Sequence, residues 1–326
     1  MSASFLRHIR FRGLLDTLPQ LLLILVCLSG RIASAADPGT GAQKTVSAAY
    51  SQKGADTCLN CHNDPHIVSL FRTKHARPND PRGPFGHGGL QCEACHGPGD
   101  AHVKAKGRQS AGLVEFGARA NTPVVKQNAM CLGCHQSDAA HHWASSAHAA
   151  NDVPCAACHS LHTADDPVLK VATQPEVCAK CHQVQSSDMW KPSHHPLREG
   201  KMACTSCHSP HGSSAPASLV KNTLHETCTS CHTEFRGPFL WEHQPVTEDC
   251  TNCHDPHGSA QPALLKAPTA FLCQQCHEAA GHPSLPQTPK GLPGGMPSPF
   301  LLAGGCVNCH SQVHGSNHPS GRALMR

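Results

Sequence analysis

The sequence predicts a mostly coil chain with short α-helices, almost no β-structure and an elongated, repetitive build. Glycine and proline each number 27 and are spread along all 326 residues, which interrupts long helices and strands. Aromatic residues make up only 4% of the chain, too few for an ordinary hydrophobic core. A unit of roughly 45–50 residues recurs in the centre of the chain, and tandem repeats are elongated because each unit mainly contacts its neighbours.

The dominant motif is Cys-x-x-Cys-His, which occurs ten times and includes every cysteine except Cys27. From the first motif to the tenth, in chain order, the cysteines are Cys58, Cys61, Cys92, Cys95, Cys131, Cys134, Cys155, Cys158, Cys178, Cys181, Cys204, Cys207, Cys228, Cys231, Cys250, Cys253, Cys273, Cys276, Cys306 and Cys309. The closing histidines are His62, His96, His135, His159, His182, His208, His232, His254, His277 and His310. The motif is typical of c-type haem attachment, in which both thiols form thioethers and the histidine becomes the proximal iron ligand.

Two other uses of paired cysteines fit the sequence less well. Histidine makes up 28 of the 326 residues, so its presence at every closing position is not a chance result. Zinc ribbons do not need that histidine, and a disulfide framework does not fix this spacing. The sequence therefore predicts ten covalently bound c-type haems, whose porphyrins would supply the apolar interior.

A second axial ligand is needed to complete each six-coordinate iron. Only four methionines lie between the first and last motifs, whereas seventeen histidines lie outside the motifs after residue 35. Bis-histidine ligation is therefore expected at most or all sites, with lower potentials than His/Met ligation. The expected distal ligands are His75, His102, His148, His162, His195, His211, His243, His257, His282 and His314. The remaining histidines, interpreted as exposed or propionate-binding, are His66, His87, His141, His142, His194, His225 and His318.

The choice between His314 and His318 stays open at this point, because both follow the last motif. The central repeats carry two motifs each and span about 148–182, 195–232 and 243–277. Each repeat has one extra histidine before its first motif and one three residues after that motif. This regularity is the reason for choosing six of the ten distal ligands.

The N-terminal segment 1–35 is predicted to be a secretory signal peptide, followed by one decahaem domain over 36–326. It has a basic start, an apolar stretch at 21–28 that is too short to span a bilayer, and an Ala-x-Ala site at 33–35. A retained membrane anchor is the alternative. Export agrees with the haem interpretation and predicts a periplasmic protein.

The charge of the chain argues against a nucleic-acid partner. The formal net charge of +4 falls to +1 without residues 1–35, which hold four arginines and one aspartate. Twenty haem propionates would then make the oxidised holoprotein anionic, on the order of −10. Nucleic-acid binding favours a basic face, whereas an anionic protein suits docking to basic patches on redox partners.

Beyond the haem motifs, the chain resembles the MtrA/DmsE-type (MtoA/PioA-like) periplasmic decahaem cytochromes over essentially all of residues 36–326. The resemblance rests on GLQCEACHGP at 89–98, RGPFLWEHQPV at 236–246 and CVNCHSQVHGSNHPSG at 306–321. All ten expected distal histidines fall where that family places histidines, and so does His318. His66, His87 and His225 look peculiar to this chain.

The resemblance implies an electron-transfer wire between periplasmic carriers and the cell exterior, partly inside an outer-membrane β-barrel. Implied partners are an MtrB-like barrel porin, periplasmic or inner-membrane quinol-linked cytochromes, and a surface multihaem cytochrome. The role would be extracellular electron transfer, in metal reduction or Fe(II) oxidation, and the direction of flow stays open. A coil backbone cannot face lipid with its polar groups unsatisfied, so a barrel with a plugged lumen would have to be supplied by a partner.

Two other functions compete with the wire. The first is a soluble periplasmic shuttle that feeds a terminal reductase. The second is a catalytic multihaem reductase, which needs an open iron position, usually marked by an unusual motif. None of the ten motifs departs from Cys-x-x-Cys-His. The sequence therefore predicts an electron-transfer protein rather than an enzyme, with direct metal redox at exposed haems compatible with that role.

Overall fold

The computed structural model describes residues 49–108, 112–137, 140–277 and 306–325. These residues form short helices joined by coil, with isolated β-bridges and no β-strand, which confirms the predicted fold class. No helix in this part of the chain has the length and apolar character needed to cross a membrane. The predicted signal segment, the Gly/Pro-rich stretch 286–299 and His282 lie outside the described residues.

Within the described residues the α-helices are four to nine residues long. They are α1 (Ala55–Leu59), α2 (Pro65–Val68), α3 (Glu93–His96), α4 (Asp100–Lys104), α5 (Val124–Leu132), α6 (Ala147–Ala150), α7 (Gln174–Ala179), α8 (Gln183–Asp188), α9 (Leu224–Thr229), α10 (Gln244–Glu248) and α11 (Thr269–Cys273). Single 3₁₀ turns cover Ser69–Arg72, Lys74–Ala76, Trp143–Ser145, Cys155–Ala157, Pro167–Leu169, Cys204–Ser206, Pro216–Ser218, Thr233–Phe235, Cys250–Asn252, Pro262–Leu264, Cys306–Asn308 and Gly321–Ala323.

The motifs alternate between two local structures. Each odd-numbered motif begins in the last turn of an α-helix, namely α1, α5, α7, α9 or α11. The second motif begins at the N-terminus of α3, and the other even-numbered motifs begin a 3₁₀ turn. All ten nevertheless close in the same way, because each motif histidine donates its backbone N–H to the carbonyl of its first cysteine at 2.9–3.0 Å. This shared turn fixes both thiols and the imidazole on one local frame.

The described chain buries few apolar side chains, and those it buries are small or medium-sized: Ala55, Val114, Val177, Ala203 and Leu219. Buried amide side chains do more to connect the motifs. Asn128 in α5 accepts from the Cys155 N–H at 2.9 Å, and Gln174 in α7 accepts from the Thr205 N–H at 3.0 Å. Because buried polar groups need partners, each amide ties a helix of an odd motif to the start of the next even motif.

Two Pro-His-Gly-Ser loops pack closely against earlier parts of the chain. A Cβ on Gly258 would lie 1.9 Å from the Asp188 carbonyl oxygen, and its φ of +152° is one that other residues rarely adopt. A Cβ on Gly212, with φ of +95°, would lie 2.7 Å from the His142 carbonyl oxygen. The glycines therefore allow these loops to reach across to a preceding unit.

Candidate functional site

The structure places nine of the ten motif histidines opposite a histidine from elsewhere in the chain, with ring centroids 6.0–6.3 Å apart and interplanar angles of 15–81°. The pairs are His62 with His102, His135 with His75, His96 with His162, His159 with His211, His182 with His148, His208 with His257, His232 with His195, His254 with His314, and His277 with His243. Two metal–nitrogen bonds of about 2 Å and the radii of two imidazole rings add up to this separation. The donor set and spacing therefore fit one bis-histidine iron per pair.

The pairs follow a regular pattern along the chain. A histidine three residues after an even motif faces the histidine of the preceding even motif, as His211 faces His159 and His257 faces His208. A histidine before an even motif faces the histidine of the following odd motif, as His195 faces His232. In the repeats, each candidate even-numbered site therefore takes one of its histidines from the next unit.

The contacts near the C-terminus distinguish His314 from His318 as candidate ligands. The His314 ring lies 6.1 Å from His254. His318 instead accepts the Ser320 N–H at Nδ1, and its carbonyl accepts from the Trp241 indole. The tenth motif histidine, His310, has its Nδ1 2.6 Å from the Ala323 carbonyl.

Backbone carbonyls orient many of these imidazoles. Contacts of 2.6–3.0 Å join Nδ1 of His96, His148, His195, His208, His243, His254 and His310 to the carbonyls of Val114, Pro210, Pro256, Ala217, Val313, Ala263 and Ala323, respectively. A carbonyl can only accept, so the proton is on Nδ1 and Nε2 keeps its lone pair for a metal. Such outer hydrogen bonds fix the tautomer and the ring orientation of a ligand.

Burial favours the neutral form of several of the expected distal ligands. The pKa values of His75, His162, His257 and His314 are all lowered, first by desolvation and then by the motif histidine that each one faces. Neutral imidazole is the form that binds metal. The electrostatic environment of these four rings thus suits iron ligation.

The first cysteines of neighbouring motifs lie close enough for their thiols to interact electrostatically across each odd-to-even step. The pairs are Cys58 with Cys92, Cys131 with Cys155, Cys178 with Cys204, Cys228 with Cys250, and Cys273 with Cys306. Across each even-to-odd step the second cysteines are near neighbours. Burial is the main cause of the raised pKa of Cys95, Cys158, Cys207 and Cys253, and charge repulsion adds to it, from Cys134, from Cys178 and then Cys181, from Cys231, and from Cys276, respectively.

These two kinds of contact alternate from the first motif to the tenth. Each motif is therefore next to the one before it and the one after it in space as well as in sequence. The repeat pattern predicts the candidate ligands but not this spatial order, because no sequence signal states which thiols meet.

Several side chains around the histidine rings were not expected from the sequence. The Phe235 ring lies 4.2 Å from His314 and 6.4 Å from His232, so it contacts rings from two different pairs. His66, which the sequence leaves without a role, lies 5.6 Å from His162. Phe235 lies three residues after the motif histidine His232, and this spacing could have indicated that its ring is near the site. His66 has no counterpart in the repeats, so no sequence signal indicated its position.

Comparison with known proteins identifies the family. The chain is 47% identical over 280 residues to the multiheme cytochrome MtrA of Shewanella baltica (strain OS185), and the match covers 85% of this chain and 83% of that protein. The chain belongs to the MtrA-type multihaem cytochromes. Membership of this family confirms a c-type cytochrome with covalently bound haems that acts in electron transfer.

Shorter matches agree with that assignment. The doubled CXXCH motif family matches residues 194–237 and 243–282, and the cytochrome c-type protein NrfB-like family matches residues 92–174. The cytochrome c-type protein NrfB of Haemophilus influenzae (strain ATCC 51907 / DSM 11121 / KW20 / Rd) is 30% identical over 105 residues, which covers 29% of this chain and 44% of that protein. The two doubled-motif matches fall on the second and third predicted repeats.

Proposed function

We propose that this MtrA-type cytochrome is a decahaem electron-transfer wire that carries electrons between periplasmic carriers and the cell exterior through an outer-membrane β-barrel. The observation that carries the proposal is that the cysteines of successive motifs lie near one another from the first motif to the tenth. Electrons would pass through the motifs in chain order, because each motif lies beside the next one in the sequence.

The protein's own residues hold and insulate each redox centre. The two thiols of each motif would attach the group covalently, and at nine motifs the motif histidine and its facing histidine would both ligate the iron. Each bound haem supplies a one-electron iron couple. Nine facing pairs support bis-histidine ligation at their motifs.

Filled axial positions favour conduction over catalysis. A substrate needs an open coordination site on the iron, and the facing imidazoles would occupy that site at nine motifs. A chain with few buried apolar side chains and mostly coil backbone also needs protection from lipid. An MtrB-like barrel would provide it, with quinol-linked cytochromes on the periplasmic side and a surface multihaem cytochrome outside.

Reconstitution tests the proposal. Holoprotein and an MtrB-like barrel are inserted together into phospholipid vesicles that enclose a reduced redox dye, and Fe(III) citrate is added outside. We expect oxidation of the dye only when both proteins are present.

Two controls define the contrary results. Vesicles with the barrel alone measure leakage. Barrel-free vesicles with the holoprotein added outside measure dye oxidation that occurs without a path through the barrel. Dye oxidation no faster than with the barrel alone would overturn the wire through a barrel. Rapid electron delivery by the barrel-free protein to a purified reductase would then favour the soluble shuttle.

A further inference from the structure

The fourth motif differs from every other even-numbered motif in the group that its proximal histidine contacts. Nδ1 of His159 lies 2.9 Å from a carboxylate oxygen of Asp166. The corresponding nitrogens of the second, sixth, eighth and tenth motifs all contact backbone carbonyls, at 2.6–3.0 Å. Four sites in the same chain therefore serve as internal references for one site with an anionic acceptor.

The loop after the motif explains this difference. Lys170 lies 11 residues after His159, whereas Lys221 lies 13 residues after His208. In the longer loop, Ala217 adopts a positive φ of 52° and its carbonyl contacts the histidine. In the shorter loop Val168 lies nine residues after His159, as Ala217 lies nine residues after His208, but Val168 does not adopt a positive φ, and the Asp166 carboxylate contacts the histidine instead.

Asp166 is held in place and largely shielded from water. Its side chain is only 11% exposed, and its other oxygen accepts from the backbone N–H groups of Ser160 and Val168 at 3.2 and 3.4 Å. Lys170 pairs with the neighbouring Asp165 instead, at 3.0 Å. The negative charge of Asp166 is therefore directed at the imidazole.

A second carboxylate lies near a motif histidine but is too distant and too exposed to act in the same way. Glu234 lies 3.8 Å from Nδ1 of His232, beyond hydrogen-bond distance, and both side chains are more than half exposed. Solvent screens that pair. The buried contact of Asp166 at 2.9 Å is of a different kind.

We propose that Asp166 is a positioning residue that makes the fourth haem, attached at Cys155 and Cys158, the lowest-potential haem among the even-numbered sites. A carboxylate accepts the Nδ1 proton more strongly than a carbonyl does and raises the basicity of the ligand. A more basic ligand and a nearby negative charge both stabilise ferric iron over ferrous iron. The inference rests on the proposed axial pair of His159 and His211.

A low-potential fourth haem would divide the series of ten haems into two unequal segments. The first three haems would lie on one side and the last six on the other. Electrons that enter either segment would equilibrate there before they cross the fourth site. Asp166 would then set the slowest exchange along the series.

The test is a potentiometric titration of the full holoprotein, followed by electron paramagnetic resonance, with Asp166→Asn as the main variant. Asparagine keeps an acceptor but removes the charge. We expect one haem to become at least tenfold easier to reduce, which is 59 mV for a one-electron couple. The matched control is Asp165→Asn, which removes an equal charge from a side chain that is 73% exposed, and it should leave every potential unchanged. No shift in Asp166→Asn, or the same shift in both variants, would overturn the proposal.

The unaltered protein provides a second measurement in case Asp166→Asn does not mature. Nuclear magnetic resonance of partly reduced holoprotein gives the order in which assigned haems are reduced. The fourth haem should be reduced after the second, sixth, eighth and tenth, and an earlier reduction would contradict the proposal. Both titrations use the chain without a barrel, so failed transfer across vesicles does not affect them. A high-spin fourth haem would instead overturn the axial pair.

Discussion

At the residue scale, the sequence nominates a set of candidate ligands but not the motif histidine that each one faces. The count of spare histidines and their repeated spacing nominate His148, His162 and His211 in advance. Which iron each one serves depends on how separate units pack, as when His162 meets His96 across 66 residues. No local pattern encodes a contact of that range.

Removal of one distal histidine should open one iron. In His257→Ala the haem at the sixth motif loses the imidazole that faces His208. We expect a high-spin ferric signal equal to one of the ten haems in the electron paramagnetic resonance spectrum. The control is His87→Ala, which removes an exposed histidine and should leave all haems low-spin. A wholly low-spin His257→Ala protein would contradict this ligand assignment.

The open choice at the C-terminus can be settled by a matched pair of variants. His314→Ala should convert the haem at the eighth motif to high spin, because His314 faces His254. His318→Ala should not, because the His318 ring is hydrogen-bonded to Ser320. The same spectroscopic measurement applies to both. The reverse result would assign the ligand to His318.

At the element scale, the sequence predicts short helices but not their alternation. Identical Cys-x-x-Cys-His strings end an α-helix at Cys178 and begin a 3₁₀ turn at Cys204. The residues before each motif decide this: Gln174 and Pro175 start a helix before the fifth motif, whereas an extended Ala203 precedes the sixth. Helix length at each motif therefore depends on its flanks, which vary more than the motif does.

The close approach of the Pro-His-Gly-Ser loop predicts a sensitive glycine. In Gly258→Ala the new Cβ would meet the Asp188 carbonyl at a backbone angle that alanine rarely adopts. We expect a loss of about 1–3 kcal/mol in the free energy of unfolding, measured by denaturant unfolding of the holoprotein. Gly133→Ala is the control, since its φ is −58° and its nearest neighbour is at 3.5 Å. Equal stability of the two variants would contradict the packing of this loop.

At the scale of the whole molecule, the central claim is that the ten motifs form one series without a bypass. The repeats predict that neighbouring units touch, and the alternating cysteine contacts give the order. The sequence alone could not provide that order, because a chain of ten equal motifs can be folded back on itself in many ways. In a series of haems without a bypass, the loss of any one haem interrupts electron transfer.

The most direct measurement is the rate of electron transfer across vesicles by a protein that lacks one central haem. In Cys178→Ala, Cys181→Ala the fifth haem cannot attach, while mass spectrometry confirms the other nine and co-purification confirms the barrel complex. We expect the rate to fall to that of vesicles with the barrel alone, because electrons cannot bypass the gap between the fourth and sixth motifs. A rate equal to that of the unaltered protein would contradict the series.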